Sequence, residues 1–161
     1  MKTNYRLYFI VFGLSFTIAV LSAARTASSS WSGWSDTSRN DPDIMNAEKA
    51  IKDKNWNKAV ELLNTALARD KKNADVYNML GYAERNRGNI DVAFKYYEQA
   101  LTLNPKHRGA HEYIGEAYLM VGDLAKAEEH LATLDKLCFF PCEEYSSLKT
   151  AIAAYKQKSV K

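Results

Sequence analysis

Tyr77-Asn78-Met79-Leu80-Gly81 opens the stretch that decides the fold. Gly88, Ala93, Tyr97, Ala100 and Pro105 follow it at set intervals. The same slots return, weakened, 34 residues to either side. The small-residue slots read Ala47, Gly81 and Gly115; then Ala59, Ala93 and Ala127; then Ala66, Ala100 and Leu134. Large apolar residues form two more columns, Trp56, Ile90 and Leu124, and Leu63, Tyr97 and Leu131. Small side chains are needed where two helices cross closely, because larger ones force the axes apart. A unit of this length cannot bury its own apolar face, so the period predicts helix pairs stacked into a solenoid.

The punctuation agrees with this. Asn55, Asn89 and Asp123 stand where a helix N-cap is needed. Gly88 and Gly122 precede two of them and can take the left-handed conformation that ends a helix. Pro105 closes the second helix of the central unit.

On these residues the chain resembles the tetratricopeptide repeat (TPR) family. The central repeat, 74–107, follows the family pattern nearly throughout, with Glu84 in a slot where an aromatic is usual. The repeat at 108–141 keeps Gly115, Tyr118, Gly122 and Ala127. The repeat at 40–73 departs most, with Asp43 in an aromatic slot, Asn46 in the leucine slot and Lys54 in place of glycine. The register runs on through Tyr145, Leu148, Ile152 and Tyr155, which share one helix face. Lys149 stands where a small residue would be needed for a further helix. The resemblance implies an all-α fold: an α-solenoid of three TPR helix pairs over 41–141, closed by a capping helix at 142–157.

Residues 1–24 read as a targeting segment. Lys2 and Arg6 precede an uncharged run, Leu7 to Ala24, that ends in Ser22-Ala23-Ala24, a small-residue cleavage pattern. Ser15, Thr17 and Ser22 dilute its hydrophobicity. This favours a cleaved secretory signal over an uncleaved membrane anchor, and either places the repeats on the periplasmic or secreted side. Residues 25–40 read as a flexible serine-rich linker. Trp31 and Trp34 are either exposed aromatics in that tether or, if the anchor persists, interfacial ones.

Removing Lys2 and Arg6 from 22 basic residues leaves 20 against 19 acidic ones, which gives no basis for nucleic-acid binding. No catalytic triad, paired carboxylates or phosphate loop can be assembled, so neither an enzyme nor a cofactor is expected. Cys138 and Cys142 are the only cysteines, and Pro141 breaks the helical path between them. In an oxidising compartment a disulfide stapling the cap helix is favoured. A metal (copper) or thiol-handling role for the pair is the alternative. His107, His111 and His130 suggest packing and helix-start positions more than ligands.

The resemblance implies that a protein or peptide partner lies against the first helix of each repeat. The positions that face it are Asn78, Tyr82, Arg85 and Asn86 in the central repeat and Glu112, Glu116, Leu119 and Met120 in the next. Ile44, Glu48, Ile51 and Lys52 correspond in the first repeat. Taken singly, each is also compatible with an ordinary solvated helix surface. The family's carboxylate-gripping subtype needs cationic or amide donors at positions that here are Ile44, Glu48, Met79, Gly109 and Tyr113, so that grip is not expected. Stacking of one copy on another through the degenerate first repeat is a further possibility.

Overall fold

The computed structural model describes residues 41–159, and all regular structure in them is helical. The targeting segment, the linker and its tryptophans lie outside the described residues. The order is α1 (Pro42–Lys52), α2 (Trp56–Arg69), α3 (Ala74–Asn86), α4 (Ile90–Leu103), α5 (Arg108–Met120), α6 (Leu124–Leu137) and α7 (Glu143–Ser159). Successive pairs pack as α1–α2, α3–α4 and α5–α6, and α7 lies against both α5 and α6. This is the all-α array of three helix pairs and a cap that the period predicts.

Side-chain caps start most helices. Asp41, Asn55, Asn73 and Asp123 accept backbone N–H groups of Asp43, Lys58, Val76 and Lys126. His107 caps α5 the same way, its Nδ1 accepting from Ala110 N at 3.1 Å. Asn89 departs from expectation: it occupies the N-cap position of α4 but makes no cap. Its Nδ2 donates to Glu84 Oε2 at 2.6 Å instead, and Arg87 pairs with Glu84 Oε1 at 2.8 Å. The residue that replaces an aromatic in the repeat pattern has thus taken over the turn. Asp43, the other replaced aromatic, pairs with Arg69 at 2.8 Å, joining the start of α1 to the end of α2.

Glycines serve two separate needs. Gly88 (φ 87°) and Gly122 (φ 83°) provide the left-handed residue that ends α3 and α5; Lys54 (φ 55°) bears that conformation in the first repeat. At Gly88 a side chain would meet nothing, so conformation alone demands glycine. Gly81 and Gly115 lie inside helices, and there space decides. A Cβ on Gly81 would stand 2.5 Å from Tyr97 Cε1, and one on Gly115 would stand 2.7 Å from Leu148 Cδ2.

The core runs through the array as linked clusters. Ile44, Ile51, Leu63, Met79 and Leu80 fill the first, Tyr97 and Ile114 the second, and Leu134, Leu148 and Ile152 the third. Leu134, large for its slot, is fully buried in that third cluster. Lys156 Nζ lies 2.6 Å from Glu128 and further ties α7 to α6. Between α6 and α7, a disulfide joins Cys138 and Cys142, with Cα atoms 5.8 Å apart. Phe139 (94 % exposed) and Phe140 (75 %) project from that loop.

Gly81→Ala should lower stability. Overpacking costs about 1–3 kcal/mol, and helix propensity returns about 0.5–1 kcal/mol. Gly115→Ala should cost less, because a leucine tip can turn aside where a buried ring cannot. Urea unfolding of both variants checks the order, and equal losses would contradict it.

Candidate functional site: the face of the first helices

Alternate helices approach one another on one side of the array, α3 against α5 and α5 against α7. That inner side carries the residues named from the sequence. Tyr82 of α3 and Tyr113 of α5 pack together with their rings tilted and their centroids 4.9 Å apart. The Arg85 guanidinium lies over both rings, at 5.4 and 5.5 Å, and forms an ion pair with Glu116. With only a tenth of its side chain exposed, Arg85 is held by charge, by two π faces and by a contact to the Tyr113 carbonyl at 3.4 Å. Trp56 packs edge-on to Tyr82 at 6.0 Å, extending the aromatic cluster to α2.

Glu112 lies one period after Asn78 and faces α7. Burial is the main cause that pushes its carboxyl up to about 8, and the charges of Glu116, Glu144 and Glu143 add to the shift. Ser147 of α7 bonds it and opposes the rise. Asn78 is 4 % exposed, and its Oδ1 has no hydrogen-bond partner.

The other named positions diverge. Asn86 is exposed, and its Nδ2 donates to Tyr82 O of its own helix at 2.8 Å. Leu119 packs towards the α6–α7 cluster, and Met120 is 59 % exposed at the end of α5. In the first repeat Ile44 and Ile51 are buried in the core, Glu48 is half-buried and Lys52 is exposed. Met79 is also core, and Gly109 and Tyr113 offer no charged donor. Three members of the site were missed from the sequence. In the sequence Tyr113 stands only at a carboxylate-gripping position. Tyr97 reads from the sequence as a packing residue, and nothing in the spacing marks Ser147 of the cap helix.

The histidines form a seam elsewhere. His111 Nε2 lies 3.0 Å from the Pro105 carbonyl, which can only accept, so that nitrogen carries the proton. His111 Nδ1 then accepts from His130 Nδ1 at 2.9 Å, with both rings neutral. His130 also stacks on Tyr118. Burial lowers both groups, His130 to about 4 with His111 adding to the effect. His107 Nε2 lies 3.1 Å from Asp75 Oδ1 but off the hydrogen-bonding direction. No group of three or more metal-ligating side chains gathers among the described residues.

These shifts oppose each other with pH. The unfolded chain binds protons on histidine below about 6.5 while the folded seam resists, so stability falls as pH drops from 6.5 towards 4. Folded Glu112 keeps a proton that the unfolded chain has lost, so stability also falls as pH rises from about 4.5 to 8. Melting curves across pH should show His130→Phe flattening the acid limb and Glu112→Gln the alkaline one. Unchanged limbs would contradict the assignment.

A model described as "Tetratricopeptide repeat" matches residues 44–106 and again 78–137, together more than half of the chain. Human "Protein O-mannosyl-transferase TMTC3" is 35 % identical over 74 residues, which is 46 % of this chain and 8 % of that protein. The chain therefore spans a small part of the curated relatives it matches. Among solved structures, the type III secretion chaperone SycD of Yersinia enterocolitica, in complex with a peptide of the translocator YopD, superposes with TM-score 0.65 at 20 % identity, covering 78 % of this chain and 96 % of that one. The Sgt2 TPR domain from Aspergillus fumigatus gives 0.65 at 19 %, covering 80 % and 82 %. With that repeat model matched over more than half of its length and three helix pairs in its fold, the chain belongs to the tetratricopeptide repeat family.

Proposed function

We propose that the chain is a protein-interaction adaptor that holds an extended or helical segment of a partner on the inner face of α3, α5 and α7, making and breaking no bond. The observation that carries this reading is the cluster of Tyr82, Arg85, Tyr113 and Glu116. It gathers two closely packed aromatic rings and a largely buried ion pair where the first helices of successive repeats approach one another. Aromatic faces and Arg anchors of this kind supply most of the energy in peptide and protein recognition. The peptide-bound SycD structure, alike in fold, supports the same use of the fold.

The targeting segment read in residues 1–24 supports action in a bacterial cell envelope, with the repeats periplasmic or secreted. There Cys138 and Cys142 serve as a staple between α6 and the cap helix, worth about 2 kcal/mol for so small a loop. Metal handling by this pair would need ligands beyond those two sulfurs, and no group of three or more ligating side chains gathers among the described residues.

Lys52, Asn86 and Met120 occupy equivalent exposed positions on the first helices, and Lys95 is exposed on α4. A photo-crosslinking amino acid at the first three should capture a partner in cells, and one at Lys95 should not. Capture at all four alike would refute the inner-face reading. Intact mass of protein from the envelope fraction should lack residues 1–24, with no thiol reacting before reduction. A full-length mass or two free thiols would count against secretion or the staple.

A further inference from the structure

Tyr97 belongs to α4, yet its hydroxyl acts on the inner face. Gly81 has no side chain, so the tyrosine ring passes directly over α3 at that point. The residue is fully buried, and the charges that act on its hydroxyl are those of Arg85, Glu116, Tyr82 and Glu112. The hydroxyl nevertheless has no hydrogen-bond partner. A leucine stands in this slot in the repeats on either side, so packing alone does not call for the oxygen. A buried polar atom without a partner costs about 1–3 kcal/mol.

The other unspent groups have the same character. Asn78 Oδ1 is an unpartnered acceptor one period before Glu112. Glu116 already holds Arg85, and Glu144 lies 3.6 Å from Arg108. Ser147 bonds Glu112, and the charges that bear most on it are carboxylates: Glu116 on its own helix and Glu143 and Glu144 on α7. The face therefore holds a surplus of acceptors and negative charge, and among the described residues the leading charges on Glu112 include no cation.

We propose that this face selects a basic residue: a lysine or arginine side chain of the bound segment seats on the Glu112 carboxylate, between α5 and α7, with the Tyr97 oxygen and Asn78 Oδ1 accepting further N–H donors. The proposal rests on the inner face being the peptide-binding face. It adds the chemistry of the peptide. Burial and the neighbouring carboxylates hold the proton on Glu112, and an incoming ammonium or guanidinium would oppose both by favouring the charged form. An acidic segment meets the opposite field, because the one buried guanidinium on this face is already engaged by Glu116.

The test pans a phage library of random heptapeptides against the full chain at neutral pH, then measures the selected peptides by fluorescence anisotropy. Lysine or arginine should dominate one position. Replacing it by norleucine, or Glu112 by Gln, should each weaken binding by about tenfold or more, and the two changes together should cost no more than either alone. Tyr97→Phe keeps the ring and removes only the orphan hydroxyl. It should fold at least as stably and bind several-fold more weakly, which guards against a folding defect in the Glu112 variant. Selected peptides without a basic position, or full affinity for both variants, would overturn the proposal and leave the inner face as a binding surface. Peptides that fail to compete with one another on the inner face, or no selection at all, would overturn both.

Discussion

The close passage of Tyr97 over Gly81 governs the central repeat. A Cβ at that point would stand 2.5 Å from the ring, so the two helices reach their separation only because position 81 has no side chain. Gly115 does the same for Leu148, which seats α7. Once these distances are set, α3, α5 and α7 come side by side on one face, and Tyr82, Arg85, Tyr113 and Glu116 meet across them. The candidate surface is thus a product of backbone proximity: no single helix carries it, and its groups come together only where the helices do.

Much of the fold was legible because repeat proteins store their tertiary contacts as a period. Gly88 and Gly122 at positive φ, the buried alanines at 47, 59, 93 and 127, and the apolar stripe of α7 follow from counting along the chain. The exceptions share a cause. Asn89 should cap α4 by local rule, but Glu84, buried five residues earlier, competes for its amide and wins. His107 caps a helix with a ring nitrogen, where the usual caps are short hydroxyl, amide or carboxylate side chains.

The candidate site was less legible, for a geometric reason. Its eight positions were named as a column on the first helices, and five of them, Asn78, Tyr82, Arg85, Glu112 and Glu116, fall in the polar and aromatic region of that face. Asn86 turned back onto its own helix and Leu119 turned towards the core. Of the missed members, Tyr113 belongs to a first helix, but Tyr97 entered from a second helix and Ser147 from the cap. Spacing tells which face a residue occupies. It does not tell how far a side chain reaches across a neighbouring helix, and the pairing of Arg85 with Glu116 and the seam of His111 with His130 are contacts of that kind.

The loop between α6 and α7 carries a topological consequence. Its two phenylalanines are the most accessible large apolar side chains of the described residues, and they lie inside the ring closed by Cys138 and Cys142. A protease with a taste for aromatic residues would cut there first. While the sulfur bond holds, such a cut changes the chain's connectivity without releasing anything. The cap helix stays attached through sulfur where it had been attached through peptide, and Leu148 keeps its seat over Gly115. Cleavage and separation become independent events, and the second waits on a reductant.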